Sequence, residues 1–341
     1  MENTLTSVPE HFRAFRIHHD DRGYRSGLED TRLEDLSEGD LVVRVEWSSI
    51  NYKDALAATG KGKILRRFPL IGGIDLAGIV VHSDADRFTE GDRVVVTGCG
   101  LSETRDGGYS EYQRVDSRDA VHLPDGLSTR EAMMLGTAGF TAALCLYRME
   151  ANGQTPQAGP IVVTGATGGV GSLAINLLTR AGYEVHAISG KVQAFDWLER
   201  LGARQCISRH DLHWGQNPLE KSRWAGGIDT VGGDMLSGIS RVIGLWGNVA
   251  CCGMAGGHGL NTSVYPLILR GVSLLGISSA NCPYEIRRVL WDRLANEWKP
   301  EALTEIATDE VDLDGMEAVF DQLMAGGAQG RTVVRVAQTS V

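Results

Sequence analysis

A buried strand followed by a glycine-rich turn is the feature of this sequence with the clearest chemical use. Residues 161–171 read IVVTGATGGVG, and the next segment, SLAINLLTRAG, has the apolar spacing of an amphipathic helix. The free N–H groups and the dipole at the start of such a helix attract a pyrophosphate. Aligned with the pattern G-x-G-x-x-G, the turn has Ala166 in place of the first glycine, followed by Gly168 and Gly171. The order strand, turn, helix predicts a dinucleotide site, against the alternative of an ordinary glycine-rich turn.

The residues after the next strand indicate which dinucleotide binds. NAD sites typically have Asp or Glu there, about 20 residues after the glycines, to hold the ribose 2′-OH. This sequence has Ser189, Gly190 and Lys191 instead, with no acid. A hydroxyl and a cation suit a 2′-phosphate, and Arg209 after the following strand offers a second cation. We therefore predict NADPH as the cofactor, while the alternative for Lys191 is a solvated surface lysine.

The sequence pattern changes along the chain and predicts the elements that position this site. From Leu41 to about Arg118, short alternating runs such as LVVRVEWSSI and DRVVVTG predict an all-β unit. From Ile161 onward, helices expected at 172–181 and 194–201 alternate with the apolar runs EVHAIS, QCIS, GIDTV, NVACCG and VSLLGIS. This alternation predicts a parallel, doubly wound sheet. Helices near 284–297 and 315–324 and a last strand, RTVVRVA, complete the pattern.

Composition limits the classes of function. The 341 residues are enough for two domains, and a net charge of −10 disfavours nucleic acid as a partner. The mainly apolar, uncharged stretches 132–147 and 242–257 are each shorter than a membrane span, which needs about 20 residues. The start has no apolar secretory signal, and the six scattered cysteines have no CxxC pair. We therefore expect a cytoplasmic protein without a membrane span that acts on a small molecule. Its 43 glycines, nearly twice the usual share of about 7%, indicate backbone that approaches a ligand closely.

Further motifs resemble one enzyme superfamily. SSINYKDALAATG, GIDLAGIV, GDRVVVTG and LGTAGFTAA, with the glycine turn, resemble the medium-chain dehydrogenase/reductase (MDR) superfamily. YKDALAATGKGKI, RWAGGIDTVGG, CGMAGG and ILRGVSLLGI resemble its acrylyl-CoA reductase branch, also labelled YhdH-type quinone oxidoreductase. The resemblance extends from about Leu41 to Val336. It implies an α/β fold with a GroES-like β-barrel domain at 1–130, completed by 286–341, and a Rossmann domain at 131–285. The active site is expected in the cleft between them.

The resemblance also implies a zinc-free chemistry. Zinc alcohol dehydrogenases of the superfamily bind a catalytic metal through Cys, His and Cys, and the matching motif positions here hold Asn51, Ile74 and Thr137. No metal is therefore expected. The implied reaction is hydride transfer from NADPH to the β-carbon of acrylyl-CoA, which gives propanoyl-CoA while the protein stabilises the thioester oxygen. The alternatives are a quinone or enone reductase of the same superfamily and a non-catalytic NADPH-binding protein.

Site residues follow from these motifs. Tyr52, in NYKD, is the candidate for contacting nicotinamide or substrate, because a phenol can stack and donate; the alternative is a core tyrosine. Asp75, in GID, is the second catalytic candidate, and for it and Asp54 the alternative is a structural role. Arg331 is similar to a cofactor-reaching arginine of the family, and its alternative is an exposed charge at the last strand. The predicted cofactor contacts are Tyr52, Thr164, Gly168, Gly169, Val170, Gly171, Ser189, Gly190, Lys191, Arg209, Gly253, Met254, Ile277, Ser278 and Arg331.

One basic cluster is conspicuous in this acidic chain. Its members, within TGKGKILRRFP, are Lys61, Lys63, Arg66 and Arg67. Because CoA has a 3′-phosphate and a diphosphate, these cations are predicted to bind the substrate, with a solvated loop as the alternative. The resemblance further implies a homodimer.

Overall fold

The computed structural model describes residues 8–336, which form two compact units. Residues 8–137, 280–295 and 303–336 make up the first unit, and residues 138–279 and 296–302 the second. The strands in chain order are β1 Phe12–Asp20, β2 Gly23–Thr31, β3 Leu41–Ile50, β4 Leu70–Ile71, β5 Asp75–Ser83, β6 Arg93–Thr97, β7 Tyr112–Val115, β8 Val121–His122, β9 Ile161–Thr164, β10 Val185–Ser189, β11 Gln205–Ser208, β12 Trp224–Asp229, β13 Ile243–Cys251, β14 Ser273–Gly276, β15 Asp309–Asp312 and β16 Thr332–Arg335. The α-helices are α1 Tyr52–Ala58, α2 Thr129–Ala151, α3 Gly169–Arg180, α4 Phe195–Arg200, α5 Gly233–Val242, α6 Tyr265–Arg270, α7 Tyr284–Ala295, α8 Leu303–Ile306 and α9 Met316–Met324.

The first unit is built on two sheets. A seven-stranded sheet has the order β15-β16-β3-β5-β6-β8, with β7 also paired to β3, and a smaller sheet has the order β2-β1-β4. All of its pairings are antiparallel except the one between β15 and β16. From Val43 to Trp47, strand β3 alternates apolar and polar residues, as a strand with one buried face should. The rings of Phe15, Tyr109 and Phe320 meet in the core at centroid distances of 5.7 to 6.3 Å.

The pairing in this sheet brings three chain segments together. The end of β3 lies beside the start of β5, since Trp47 pairs with Ala77, and beside the start of β16, since Ile50 pairs with Thr332. Residues just outside these strands therefore meet at one edge of the sheet. The polar residues predicted from the motifs NYKD, GID and QGRT lie there.

The second unit has the predicted doubly wound sheet. Its six strands are all parallel and have the order β11-β10-β9-β12-β13-β14, so the first strand lies inside and the chain winds outward on both sides. Strand β9, IVVT, is buried throughout, as expected of an inner parallel strand. Helix α3 buries the continuous segment from Gly171 to Leu178, which covers the sheet next to the glycine turn.

Helix α2 has a start that the sequence explains and a break that it does not. The Glu131 N–H donates to Ser128 Oγ at 3.2 Å, and the Ser128 N–H donates to Glu131 Oε2 at 2.9 Å, which makes a capping box. Gly136 interrupts the helix with φ 50° and ψ −156°. Within residues 8–336, α2 alone has the length and apolar composition to cross a bilayer, and 83% of its apolar window is buried in the fold.

Candidate functional site

The glycine-rich turn of the second unit joins β9 to α3. Gly165 has a φ of 57°, in the left-handed region that glycine adopts without strain. A Cβ on Gly171 would overlap the Gly165 carbonyl, so glycine is required for α3 to begin this close to β9. Gly168 precedes the helix, and Gly169 and Val170 form its first residues. The start of α3 is thus lined mainly by backbone, which fits a pyrophosphate.

Alanine is accommodated at the first position of the G-x-G-x-x-G pattern. Ala166 is fully buried, and its N–H donates to the Ile188 carbonyl at 3.2 Å. Its methyl group is therefore packed inside the fold. The departure from the pattern does not weaken the predicted site.

Side chains that suit a phosphate gather where β10 and β11 end. Because these strands are parallel neighbours, Ser189 and Lys191 lie at the same sheet edge as Arg209. Ser189 Oγ accepts the Lys191 N–H at 3.1 Å, and Thr167 Oγ1 lies 3.4 Å from Ser189 Oγ. A Cβ on Gly190 would stand 2.6 Å from Arg209 Nε, so the guanidinium packs against this glycine. Burial lowers the pKa of Lys191. The structure therefore brings the four predicted residues together, and Thr167, from the turn itself, joins them.

Thr164, predicted to contact the cofactor, is turned inward. Its hydroxyl donates to Asp229 Oδ1 at 2.7 Å and accepts the Thr230 N–H at 3.0 Å. Asp229, which is fully buried, also accepts the Gly232 N–H at 2.7 Å. Burial raises the pKa of Asp229, and the hydrogen bond from Thr164 opposes that shift. These bonds join the carboxyl ends of β9 and β12, so Thr164 and Asp229 position the turn. Sequence reasoning missed Asp229, and the acid inside the otherwise uncharged run GIDTV is the signal that could have indicated it.

Four further predicted cofactor residues lie at the same edge of the sheet. Gly253 and Met254 follow β13, and Ile277 and Ser278 follow β14. Met254 is 70% exposed, Ser278 is also exposed, and the Ile277 N–H donates to the Cys251 carbonyl at 3.0 Å. The carboxyl ends of parallel strands are where doubly wound sheets bind their ligands. The arrangement can therefore hold a dinucleotide along this edge.

In the first unit, Asp75 lies at the start of β5 and accepts a dense set of hydrogen bonds. Its Oδ2 accepts from Ser49 Oγ at 2.6 Å, from Asn51 Nδ2 at 2.8 Å and from the Thr137 N–H at 2.9 Å. The Thr137 hydroxyl donates to Oδ1. Asn51 and Thr137, two of the three residues at positions that match the zinc ligands of alcohol dehydrogenases, thus donate hydrogen bonds to the buried carboxylate of Asp75.

Asp54, in the first turn of α1, is a second buried carboxylate. It accepts from the Asn51 N–H at 2.9 Å, from Asn51 Nδ2 at 3.1 Å and from the Ile74 N–H at 2.9 Å. Burial raises the pKa of Asp54 to about 7, and the negative charge of Asp75 acts in the same direction. Ile74, the third zinc-like position, contributes its backbone alone. Within residues 8–336, no group of three or more His, Cys, Asp and Glu side chains could hold a metal ion.

Arg331 supplies the positive charge of this cluster. Its Nη1 donates to Asn51 Oδ1 at 2.9 Å and to the Ile50 carbonyl at 3.1 Å, and its Nε and Nη2 donate to the carbonyls of residues 134 and 133. Its Nη2 lies 4.0 Å from Asp75 Oδ2. Burial lowers the pKa of Arg331, whereas the two carboxylates raise it. We call Asp54, Asp75, Asn51 and Arg331 the buried polar network.

The burial of Asp75 and Arg331 changes the roles expected for them. Asp75 is 0% exposed and Arg331 is 3% exposed, and both oxygens of Asp75 and all three guanidinium nitrogens have protein partners. The alternative of an exposed charge for Arg331 is therefore wrong. The geometry supports a positioning role for both residues. Their direct contact with substrate or cofactor stays a prediction that the burial does not favour.

Tyr52 is the exposed residue at the edge of this network. It is the first residue of α1, directly after Asn51, and is 46% exposed. The alternative of a core tyrosine is therefore wrong. Because the preceding residue is held by Asp54, Asp75 and Arg331, the phenol stands on a rigid support at a place that a ligand can reach.

The basic cluster divides into two kinds of residue. Lys61, Lys63 and Arg66 are exposed, and their side chains form no ion pair with any residue in 8–336. Arg67 instead donates to Ser37 Oγ at 2.6 Å and to the Thr104 carbonyl at 2.9 Å. Three of the four predicted substrate residues thus have unengaged cationic groups, and Arg67 is fixed to neighbouring loops.

Comparisons with known proteins identify the family. Residues 37–125 match the family model "Alcohol dehydrogenase GroES-like domain", and residues 169–296 match "Zinc-binding dehydrogenase". The chain is 43% identical over 316 residues to the acrylyl-CoA reductase AcuI of Ruegeria pomeroyi, covering 92% of this chain and 94% of that one. The chain belongs to the AcuI/YhdH-like family of the MDR superfamily. The predicted family, fold class and oxidoreductase class are confirmed.

Solved structures of relatives agree with this family. The YhdH oxidoreductase of Salmonella enterica, in complex with NADP, is 44% identical, with a TM-score of 0.92, and the match covers 95% of this chain and all of that chain. The YhfP protein of Bacillus subtilis, with NAD bound, is 42% identical, with a TM-score of 0.92, and the match covers 96% and 100%. Relatives at similar identity thus hold either dinucleotide, so the cofactor must be decided from the residues of this chain.

Proposed function

We propose that this AcuI/YhdH-like oxidoreductase uses NADPH to reduce the C=C bond of acrylyl-CoA to propanoyl-CoA. The observation that supports it most is its 43% identity, over nearly the whole of both chains, to an acrylyl-CoA reductase. NADPH is favoured over NADH because Ser189, Lys191 and Arg209 lie together where a 2′-phosphate would be bound, with no acid among them.

The chain's own residues would act by binding and orientation. The glycine turn and the start of α3 would hold the pyrophosphate, and Ser189, Lys191 and Arg209 the 2′-phosphate. NADPH, once bound, supplies the hydride. When the β-carbon of the enoyl thioester receives it, the electron pair of the C=C bond shifts and negative charge develops on the thioester oxygen; a proton added at the α-carbon then completes the reduction. Tyr52 can donate a hydrogen bond to that oxygen, because the residue is 46% exposed and directly follows Asn51, whose backbone N–H is held by Asp54.

The test is NADPH oxidation followed by absorbance, with acryloyl-CoA, a small enone and a quinone as separate substrates. Turnover of acryloyl-CoA with propanoyl-CoA as the product supports the proposal. Turnover of the quinone alone would replace it with a quinone reductase, and NADPH binding without any turnover would indicate a non-catalytic protein. Tyr52→Phe removes only the hydroxyl, and we expect it to lower kcat about 100-fold if that group stabilises the oxyanion.

We also propose that the protein is a cytoplasmic homodimer. Nine of the thirteen exposed large apolar side chains in 8–336 lie between Leu245 and Leu269, and Trp246 is 80% exposed. The Trp246 ring covers Gly271, so this residue and α6 form one continuous apolar face at the β13–β14 side of the sheet. Trp246→Glu combined with Ile268→Glu should give monomers by light scattering. An unchanged dimer would contradict this face as the interface.

A further inference from the structure

Three aromatic rings form a cluster on the surface of the first unit. The rings of His19, Tyr24 and Phe68 lie 5.4 to 5.7 Å apart between centroids, in edge-to-face or tilted arrangements. Phe68 is 36% exposed, and His19 is also exposed. We call these three residues the aromatic cluster. An exposed aromatic ring held in place by neighbouring rings is a suitable platform for a flat heterocycle.

The unengaged cations adjoin this cluster along the chain. A Cβ on Gly60 would lie 2.9 Å from Cδ1 of Tyr24, so the loop that begins at Gly60 starts against the cluster, and it ends there at Phe68. Between these two ends stand Lys61, Lys63 and Arg66. Nothing in 8–336 forms an ion pair with their side chains, although the chain as a whole has a net charge of −10.

The same surface is connected to the exposed tyrosine of the candidate site. The Tyr24 hydroxyl donates to the Ala57 carbonyl, and Ser26 Oγ donates to the Ala58 carbonyl at 3.0 Å. The aromatic cluster is thus held at the last turn of α1, whose first residue is Tyr52. At about 1.5 Å per residue, the helix separates the two by roughly 9 Å. A long ligand could extend from one to the other.

We propose that the aromatic cluster and the three unengaged cations bind the adenosine end of coenzyme A. The purine stacks on the exposed ring of Phe68 beside His19, and Lys61, Lys63 and Arg66 bind the 3′-phosphate and the diphosphate. Stacking gives the site its preference for an adenine nucleotide, which a basic loop alone would not have. The inference rests on the proposed function for the choice of a CoA thioester as the ligand.

The experiment compares acryloyl-CoA with acryloyl-pantetheine, which has the same thioester without the adenosine and its phosphates. We expect Phe68→Leu to raise KM for acryloyl-CoA about fivefold, the low end of what base stacking contributes, and to leave KM for acryloyl-pantetheine unchanged. Phe68→Tyr keeps the ring and should restore the KM of the parent protein. Lys63→Glu with Arg66→Glu should raise KM for acryloyl-CoA tenfold or more and weaken its dependence on salt. Val289→Ala, at another exposed apolar side chain of the same unit, and Lys221→Glu are the matched controls.

A binding measurement separates this inference from the proposed function. Calorimetric titration with free CoA, in the presence of saturating NADP+, reports on the surface even if no thioester is reduced. Loss of CoA binding in Phe68→Leu and in the double charge reversal, with the controls unchanged, supports the inference whatever the activity. If acryloyl-CoA is reduced but these variants bind CoA and turn it over like the parent protein, the surface assignment is overturned and the function stands. If the parent protein does not bind CoA, the inference is also overturned.

Discussion

The choice of NADPH over NADH can be tested at two cations of the sheet edge. Lys191 follows β10 and Arg209 follows β11, and the Arg209 guanidinium packs against Gly190, the residue before Lys191. Replacing either by alanine removes one charged donor from the proposed 2′-phosphate position. Ser189 and the glycine turn are left in place. The adenosine ribose of NADH has no 2′-phosphate, so its binding should not depend on either cation.

The expected magnitude follows from the exposure of the two groups. A hydrogen bond to a charged group contributes about 1.5–3 kcal/mol, and the lower value applies here because Arg209 is exposed and Lys191 only partly buried. A loss of about 1.5 kcal/mol is roughly a tenfold loss of kcat/KM for NADPH in each single variant. Since both cations would bind the same phosphate in the proposed site, the kcat/KM loss of the double variant should be smaller than the product of the two single losses.

The assay is kcat/KM for NADPH and for NADH at fixed substrate, and the sheet supplies a control. Arg204 is exposed like Arg209 but precedes β11, so it lies at the opposite end of the same strand. We expect Arg204→Ala to change neither cofactor's kcat/KM. If the Lys191 and Arg209 variants lost as much kcat/KM with NADH as with NADPH, the 2′-phosphate assignment would be refuted. It would also be refuted if Arg204→Ala lost as much kcat/KM for NADPH as those variants do.

Two further predictions concern the buried polar network. Between pH about 4 and about 7, folded Asp54 holds a proton that the unfolded chain has released, so the stability it contributes is present below pH 3.8 and is lost as the pH rises through about 7. Urea titrations of the parent protein and of Asp54→Asn measure this effect. From pH 5 to 7, the unfolding free energy of the parent minus that of the variant should fall by up to about 1.4 kcal/mol per pH unit. If the unfolding free energies of the two proteins change with pH in parallel, the raised pKa of Asp54 is contradicted. Gly136→Ala would put a Cβ 2.6 to 2.7 Å from Arg331, Asp75 and Ser49, and should cost about 2–4 kcal/mol of unfolding free energy. Gly91→Ala, with φ 94° and no atom within 4 Å of the added Cβ, measures the backbone strain alone, and an equal cost in both variants would exclude crowding of the network.

Local patterns were sufficient to predict the second unit. The inner strand β9 is a continuous run of buried, mainly apolar residues, and the helix predicted at 172–181 is observed at Gly169–Arg180. The observed helix begins three residues before the predicted one because Gly169 and Gly171 are helical, although glycine has a low helix propensity. The cluster of Ser189, Lys191 and Arg209 was also predictable, since neighbouring parallel strands bring their ends together.

The first unit could be predicted only in outline, because its site depends on contacts far apart in sequence. Arg331 reaches Asn51 across 280 positions, and Thr137 reaches Asp75 across 62. No local pattern indicates that an arginine before a last strand is buried, or that Gly136 must be glycine so that the network can close. The aromatic cluster was missed for the same reason, since His19 and Tyr24 meet Phe68 only through the pairing of β1 with β2 and β4.

The buried polar network explains why an asparagine suits position 51. Its Nδ2 donates to both Asp54 and Asp75, and its Oδ1 accepts from Arg331, so the one side chain uses its donor and its acceptor at once. An aspartate there would add a third carboxyl group beside Asp54 and Asp75 and would remove the Nδ2 donor, and a hydroxyl would be too short to reach all three partners. The carboxylates fix the donor side of the amide and the guanidinium fixes the acceptor side, so the amide has one allowed orientation. Because Tyr52 follows directly in the chain, this single orientation also fixes where α1 begins, and with it the position from which the phenol can meet a substrate.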